Sequence, residues 1–488
     1  MLKIILGYVL SFAYMGLVIL LGESLQRKFD LNKEMVRKYE HLATAMSWII
    51  CYFFVGVSIH LLIINVMACI ALGVIAFGGL MKSVERTDTA KSYGLFYFGL
   101  STAIVAGIVV FVNADFYPLN GIAWFCLAFG DGFAPIFAKA LKKYNTEVMP
   151  TKSIMGMLAV FLFSALSVIV FNYAFSLGYS WLFMMSLACL SCLAELFGKR
   201  GIDNFFVEFG VFGYLVMQYY GLVSTALSVA IIISLVVVVV SAKAKALSPS
   251  ANAVSFVFLL ICTFCGDWAL MSMVLSLYVL AAITSKLTSK KYNEITNSKK
   301  IKSQRDAWQI LANSVVAGIF AVLFYAYAKP IFLLCAIVAI GEEFADSMAS
   351  DFGRLSKRQP VDLLRFKRMQ TGISGGISLF GTAMALIGAL IAVAIPYAFL
   401  THEISWQLAV LVCGVAFFGT FIDSAIGSGL QILYKCSVCE KLVESKTHCE
   451  EQAIYVKGIS FVNNTVVNFI SGVITSLILL GLYFLIGI

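Results

Sequence analysis

Runs of about twenty apolar residues follow one another along nearly the whole chain, a length matched to the hydrocarbon core of a bilayer. Sixteen can be delimited, among them 44–61, 63–81, 251–265, 267–285, 372–399, 405–432 and 459–487. Of the 488 residues 61% are hydrophobic and 12% charged, against roughly 45–50% and about 25% in soluble domains. One soluble core cannot hide such a surplus. The expectation is an all-α, polytopic integral membrane protein of about 16 transmembrane helices in two bundles. The stretches 45–81 and 251–285 are too long for one span and read as hairpins. Residues 1–21 lack a basic leader region and a small-residue cleavage site, so they read as a retained first span.

The charges sharpen this picture. Of the 35 Lys and Arg, 33 fall in the segments 23–43, 82–93, 139–153, 197–204, 242–250, 286–306, 349–371 and 433–458. These are every second connection between the apolar runs. The positive-inside rule makes them cytoplasmic and leaves both termini outside. The expected setting is the plasma membrane with the chemistry facing the cytoplasm. Since topology accounts for the net charge of +9, no nucleic-acid partner is implied. Most of the 12 Cys, such as Cys51, Cys69, Cys126 and Cys413, sit in apolar runs and behave as small hydrophobes.

In residues 1–245, polar clusters crowd the cytoplasmic span ends. They include Arg37, Lys38, Glu40 and His41; G-D-G-F-A at 130–134; Lys139 through Lys152; and Glu195 with Asp203 and Asn204. Phosphoryl transfer needs cations for the phosphates, carboxylates for Mg²⁺ and a positioned acceptor hydroxyl. Asp131, Glu195 and Asp203 are the candidate ligands, and Arg37, Lys139 and Lys152 the candidate phosphate contacts. Taken singly, the basic residues also read as topology anchors, and Glu195 and Asp203 as solvated partners of Lys199 and Arg200.

Residues 303–488 use different words for the same logic. Arg305, Gln309 and Asn313 share a helical face by their i, i+4 spacing. Glu342, Glu343, Asp346 and Asp351 put four acids in ten residues at a membrane boundary, an arrangement that repels unless a cation is held there. The run T-G-I-S-G-G-I-S at 371–378, containing Thr371, Gly375 and Gly376, can cradle phosphate on backbone N–H groups or serve close helix packing. Asp423 stands inside an apolar run, and an ionisable residue there is a functional candidate by default. Asn463, Asn464 and Asn468 follow.

In order along 30–225, R-K-x-x-H, K-S-Y-G, G-D-G-x-A, K-S-x-x-G-x-L-A and G-x-D-N resemble the phytol kinase and dolichol kinase family. That resemblance implies phosphate transfer from CTP to a long-chain isoprenoid alcohol, with Asp131 and Lys152 at the nucleotide–metal site and Asp203 and Asn204 on the same face. Along 303–487, R-x-x-x-Q-x-L-A-N, A-D-S-x-A-S-D, T-G-x-S-G-G-x-S, I-D-S-x-x-G-x-x-x-Q and N-N-x-V-V-N resemble the phytyl-phosphate kinase family. Here the implied reaction converts an isoprenyl monophosphate to the diphosphate. The candidate sites are catalytic Asp346 and Asp423, alongside catalytic Asp131 and Asp203 in the first half; phosphate-binding Arg305, Thr371, Gly375, Gly376, Asn463 and Asn468; and Mg²⁺-binding Glu342, Asp346 and Asp351. Three departures stand out: Met155 where the first family has Glu, Asp351 where the second has Glu, and Asn464 where it often has Asp. The organisation expected is 1–245 and 303–488 as two kinase-like membrane domains, fused through a hairpin and basic linker at 246–302. Membrane lipid and nucleotide are the partners. The rival reading is a transporter or flippase, but transporters place ionisable residues near the bilayer midplane rather than at span ends.

One loop stands apart. Cys436, Cys439, His448 and Cys449 can supply four soft ligands to a structural Zn²⁺, provided the adjacent His448 and Cys449 both turn inward. The alternative is reduced, unligated thiols, and a disulfide does not suit the reducing cytoplasm.

Overall fold

A computed structural model describes residues 1–29, 33–78, 93–199, 201–296 and 304–487. The chain forms two compact units, Met1–Lys243 and Ala244–Ile488. The first holds α1 (Leu2–Phe29), α2 (Lys33–Phe54), α3 (Ile59–Gly78), α4 (Gly94–Phe111), α5 (Tyr117–Ala140), the two-stranded β1–β2 (Glu147–Met149, Lys152–Ser153), α6 (Ile154–Ala174), α7 (Trp181–Phe197), α8 (Asp203–Tyr219) and α9 (Thr225–Lys243).

Its helices are dressed for lipid. Along α6, Leu158, Leu162, Leu166, Val170 and Tyr173 form one exposed stripe, from 40% to 69% accessible, while Ala159, Ser164, Ser167 and Val168 face inward. Apolar side chains gain nothing by hiding from lipid tails, so the inward face is free to be small and polar. Hydrogen bonds then tie the helices together. Ser164 Oγ donates to Ser191 Oγ at 2.9 Å, and Tyr214 Oη lies 2.8 and 3.1 Å from the hydroxyls of Ser186 and Ser228. The run 45–81 breaks as expected, at 55–58, where Gly56 takes φ +66°.

The second unit comprises α10 (Pro249–Thr296), α11 (Ala307–Tyr327), α12 (Pro330–Gly353), β3 (Val361–Asp362), β4 (Gly376–Ile377), α13 (Leu379–Leu400), α14 (Trp406–Gly429), β5 to β9 (Leu433–Lys435, Leu442–Val443, Thr447–His448, Glu451–Gln452, Ile454–Lys457) and α15 (Asn464–Ile486). Helix α12 is central. It touches α10, α11, α13, α14 and α15, and it is buried nearly all round from Ile331 to Ala339. Such a helix has no lipid face to keep apolar, which leaves its far end free to carry acids inward.

The run 251–285 is not one continuous helix: within α10 two helices meet at Asp267, whose φ 45° and ψ −136° no α-helix contains, and they pack on α11, α12 and α13. One expectation changes. The glycine-rich run 371–378 does not belong to a span. It is a loop and a short strand, β4 paired antiparallel with β3, and α13 begins only at Leu379 with Ser378 capping Gly381 N–H at 3.1 Å. A run of similar hydropathy hides this feature, because composition does not say where the backbone leaves the helix. Among the described residues, ten helical segments are at least 18 residues long and apolar enough to cross a membrane.

Candidate functional site

In the first unit, a cavity of about 210 Å³ opens where α2 starts, α5 and α7 end, and α6 and α8 start. Asp131 of α5 forms an ion pair with Lys38 of α2, whose ammonium also donates to the Asp131 carbonyl at 3.0 Å. The Nδ1 of His41, one turn further along α2, lies 3.1 Å from the other Asp131 oxygen. Lys152 on β2 pairs with Glu195 of α7 and donates to Asp203 Oδ2 at 2.8 Å. Burial alone would lower the Lys152 pKa, but the carboxylates of Glu195, Asp203 and Asp131 outweigh it and raise the value above that of an ordinary lysine. Asn204 at the start of α8 donates to the Gly94 carbonyl at 2.9 Å and also lines the cavity.

Asp131, Lys152, Glu195, Asp203 and Asn204 are therefore brought together, from positions as far apart as 131 and 204. Lys139 is not: it is exposed on the last turn of α5, outside the lining, because the helix turns it away from Asp131. The Arg37 side chain, Lys91, Ser92 and Arg200 lie outside the described residues. Lys38, which reads in sequence as a topology anchor, is an α2 cation that reaches the site. An apolar crevice lined by Val18, Leu72, Leu95 and Phe98 runs up to His41 and Asn204.

The second unit has a larger cavity of about 560 Å³. Glu343, Asp346 and Asp351 enter it from the last half of α12, Asp423 from α14, and Arg305 and Arg354 from the flanking connections. Both oxygens of Glu343 are gripped by amides: Asn313 of α11 donates to one, and Asn468 of α15 donates to the other at 3.1 Å. Asn468 also donates to Asn313 Oδ1 at 3.4 Å. This leaves Asn468 Oδ1 buried with no hydrogen-bond partner. An orphaned amide oxygen beside carboxylates is a donor set of the hard, all-oxygen kind that Mg²⁺ takes. Thr371, Gly375 and Gly376 form the opposite rim. Gly375 sits at φ +86°, where a Cβ would lie 2.5 Å from Ser428 N, so its glycine serves a close approach to α14 as well as a backbone rim.

Two expected residues fall elsewhere. Glu342 is one residue round the helix from Glu343 and points into the core, where its Oε1 accepts from Ser471 Oγ at 3.0 Å. Asn463 is the N-cap of α15, accepting from Val466 N–H at 3.1 Å, and does not line the cavity. The acids of neither unit converge tightly. Among the described residues, the one group of three or more Cys, His, Asp or Glu ligand atoms within 4.8 Å of one another is Cys436, Cys439, His448 and Cys449. Glu444, unremarked in the sequence, also lines the larger cavity. No short motif signals it, since it meets residue 374 only through the fold.

Comparison with known proteins adds similarity at low identity. The chain is 26% identical over 170 residues to an uncharacterized membrane protein of Methanocaldococcus jannaschii, covering 34% of this chain and 66% of that one, just under two thirds. It is 26% identical over 208 residues to a phytol kinase of Synechocystis, covering 41% and 86%. It is 25% identical over 221 residues to Protein PGR of Arabidopsis thaliana, covering 39% and 76%. No solved structure matches. The profile of the family described as integral membrane protein DUF92 matches residues 232–476, half of the chain and nearly all of the second unit. The chain belongs to the DUF92 family of integral membrane proteins.

Proposed function

We propose that this protein is a membrane-bound isoprenoid-lipid kinase, moving a phosphoryl group from CTP to an isoprenoid alcohol, an isoprenyl monophosphate, or each in turn, at the cytoplasmic face of the plasma membrane. The observation that carries the reading is the cavity of the second unit, with Glu343, Asp346, Asp351 and Asp423 facing Arg305, Arg354 and a glycine-bearing rim. Phosphoryl transfer is mostly positioning and charge stabilisation, and this donor set supplies both. Similarity to a phytol kinase supports the acceptor class. So does the small apolar crevice that shares Asn204 with the polar cavity of the first unit, a neighbour suited to an acceptor with a hydrocarbon chain.

Mg²⁺, when bound, neutralises charge on the phosphates. Asp346 and Asp423 would hold it, with Asn468 Oδ1 as a further oxygen donor, and Arg305 and Arg354 would meet phosphate oxygens. The terminal P–O bond of the donor breaks, a new bond forms to the acceptor oxygen, and the nucleoside diphosphate leaves. An alcohol acceptor must lose its proton, a role we assign to Asp131 with His41 beside it. A monophosphate acceptor has its second pKa near 6 and is largely deprotonated already at neutral pH. The second unit therefore needs ligands more than a base. Glu195, Asp203 and Asp351 lie at helix ends, which favours transfer over transport, while Asp131 and Glu343 stand deeper along α5 and α12.

The test is incubation of membranes with γ-labelled CTP and panels of isoprenoid alcohols and monophosphates. Asp131→Asn should abolish labelling of alcohols and spare that of monophosphates, and Asp346→Asn should do the reverse. If the wild-type protein labels no lipid, the kinase reading is wrong. If each substitution abolishes both reactions, two separate sites are excluded.

A further inference from the structure

The connection between α14 and α15 is built as two hairpin turns that face one another. Cys436 and Cys439 lie in the turn joining β5 to β6, and His448 and Cys449 begin the turn joining β7 to β8. In the first turn Cys436 N–H donates to the Lys441 carbonyl at 2.9 Å and Glu440 N–H to the Cys436 carbonyl at 3.1 Å. Val438 N–H points at Cys436 Sγ from 3.4 Å, a donor suited to a sulfur that carries negative charge. His448 Nδ1 lies 3.6 Å from Cys439 Sγ and 3.2 Å from Cys449 Sγ.

The backbone is bent into shape for this convergence. Glu440, Cys449 and Glu450 take φ of 55°, 52° and 66°, left-handed values that side chains other than glycine adopt only under constraint. The bend at Cys449 is what lets two adjacent residues, His448 and Cys449, turn inward together. A tetrahedral Zn²⁺ with Zn–S bonds near 2.3 Å has sulfur–sulfur edges of about 3.8 Å, and all four ligand atoms already lie within 4.8 Å of one another.

The loop does not end at its own ligands. Glu444, between β6 and β7, accepts from Ser374 N–H at 2.8 Å and from Ser374 Oγ at 2.7 Å. Gln370 pairs with the Leu442 backbone in both directions, at 3.2 and 3.3 Å. Ser374 in turn donates to Asn464 Oδ1 at 3.3 Å, and Ser374, Glu444 and Asn464 all line the larger cavity.

We propose that Cys436, Cys439, His448 and Cys449 bind one structural Zn²⁺, and that the metal-bound loop holds residues 371–376 at the cavity rim through Glu444. Binding releases the protons of the three thiols, so the site is Zn²⁺ with three thiolates and one neutral imidazole. Glu444 is a positioning residue. Without the metal the two turns have no reason to face one another, and the Glu444–Ser374 clamp is no longer held from outside.

The full-length protein in detergent gives the test. Metal analysis should find one zinc per chain. Co²⁺ added after chelation should give the visible d–d bands and near-ultraviolet sulfur charge-transfer absorption of a tetrahedral thiolate site. Cys439→Ser should lose both. Hydrogen exchange should then show amides of 371–376 exchanging about tenfold faster in the chelated wild type. Glu444→Gln should show the same acceleration while keeping its zinc. Absence of zinc together with no tetrahedral Co²⁺ spectrum, or a disulfide among these cysteines, overturns the metal site. Unchanged protection of 371–376 after zinc removal overturns the coupling. No readout uses a lipid or nucleotide, so failure here is distinguishable from failure of the kinase reading.

Discussion

Lys152 stands between two carboxylates, and that position decides what it can do. The amine is paired with Glu195 and Asp203 and only 16% of its side chain is exposed, so removing it strands two acids near the end of a bundle. Breaking a buried pair from one side costs ~3–5 kcal/mol, and Lys152→Met should lower the thermal midpoint in detergent accordingly, with Lys152→Arg closer to wild type. The raised pKa sets the pH window. The pairing is fully present below the unfolded lysine value of about 10.4 and is lost only as pH rises through the higher folded value. Wild-type and Lys152→Met stability curves should therefore keep a constant separation between about pH 6 and pH 9 as far as this amine is concerned. A Lys152→Met midpoint equal to that of the wild type would remove the pairing from the account. Sequence alone distinguished poorly between such residues. Lys38 reads in sequence as a plain topology anchor, and only the packing of α2 on α5 brings it to Asp131. Glu342 and Glu343 are neighbours about 100° apart round α12, and one faces the core while the other faces the cavity.

Elements were legible where hydropathy changes and illegible where it does not. The apolar runs anticipate the helices, because a bilayer leaves few other ways to satisfy a backbone. The short strands between helices carry no such signal, yet they hold Lys152 and Gly376 and frame the turns that carry the thiols. The loop over 371–378 shows what was missed. It is apolar and glycine-rich enough to resemble a span, but left-handed Gly372 and Gly375 turn it across the end of α14. Asp362 secures it from the other side, accepting from Ser428 Oγ at 2.6 Å and from two backbone N–H groups at 3.0 Å. A methyl group at 375 meets backbone rather than a side chain that could give way. Gly375→Ala should destabilise by about 1–3 kcal/mol and open 371–376 to protease, while Gly481→Ala on α15, with nothing near it, should change neither. Equal protease resistance in the two variants would remove the close approach from the account.

At the scale of the whole molecule, the alternation of basic and neutral connections makes a direct prediction. A single cysteine at Lys290, in a cysteine-free background that still folds, should resist a membrane-impermeant maleimide added to intact cells and react after permeabilisation. One at His402, in a neutral connection, should react in intact cells. The opposite pattern would invert the topology. The two cavities also differ in a way that bears on how each is filled. The smaller is lined by Asp131, Glu195 and Asp203 against Lys38, Lys152 and Lys199, three charges of each sign. The larger sets Glu343, Asp346, Asp351, Asp423 and Glu444 against Arg305 and Arg354. The amides gripping Glu343 fix its direction without cancelling its charge, since Asn313 and Asn468 are neutral. A polyphosphate approaching the larger cavity alone meets a like-charged wall, whereas one carrying its own divalent counter-ion meets a complementary one. Under the proposed kinase reading, this imbalance implies an order of arrival on the second unit that the first does not share: cation before or with anion, never after.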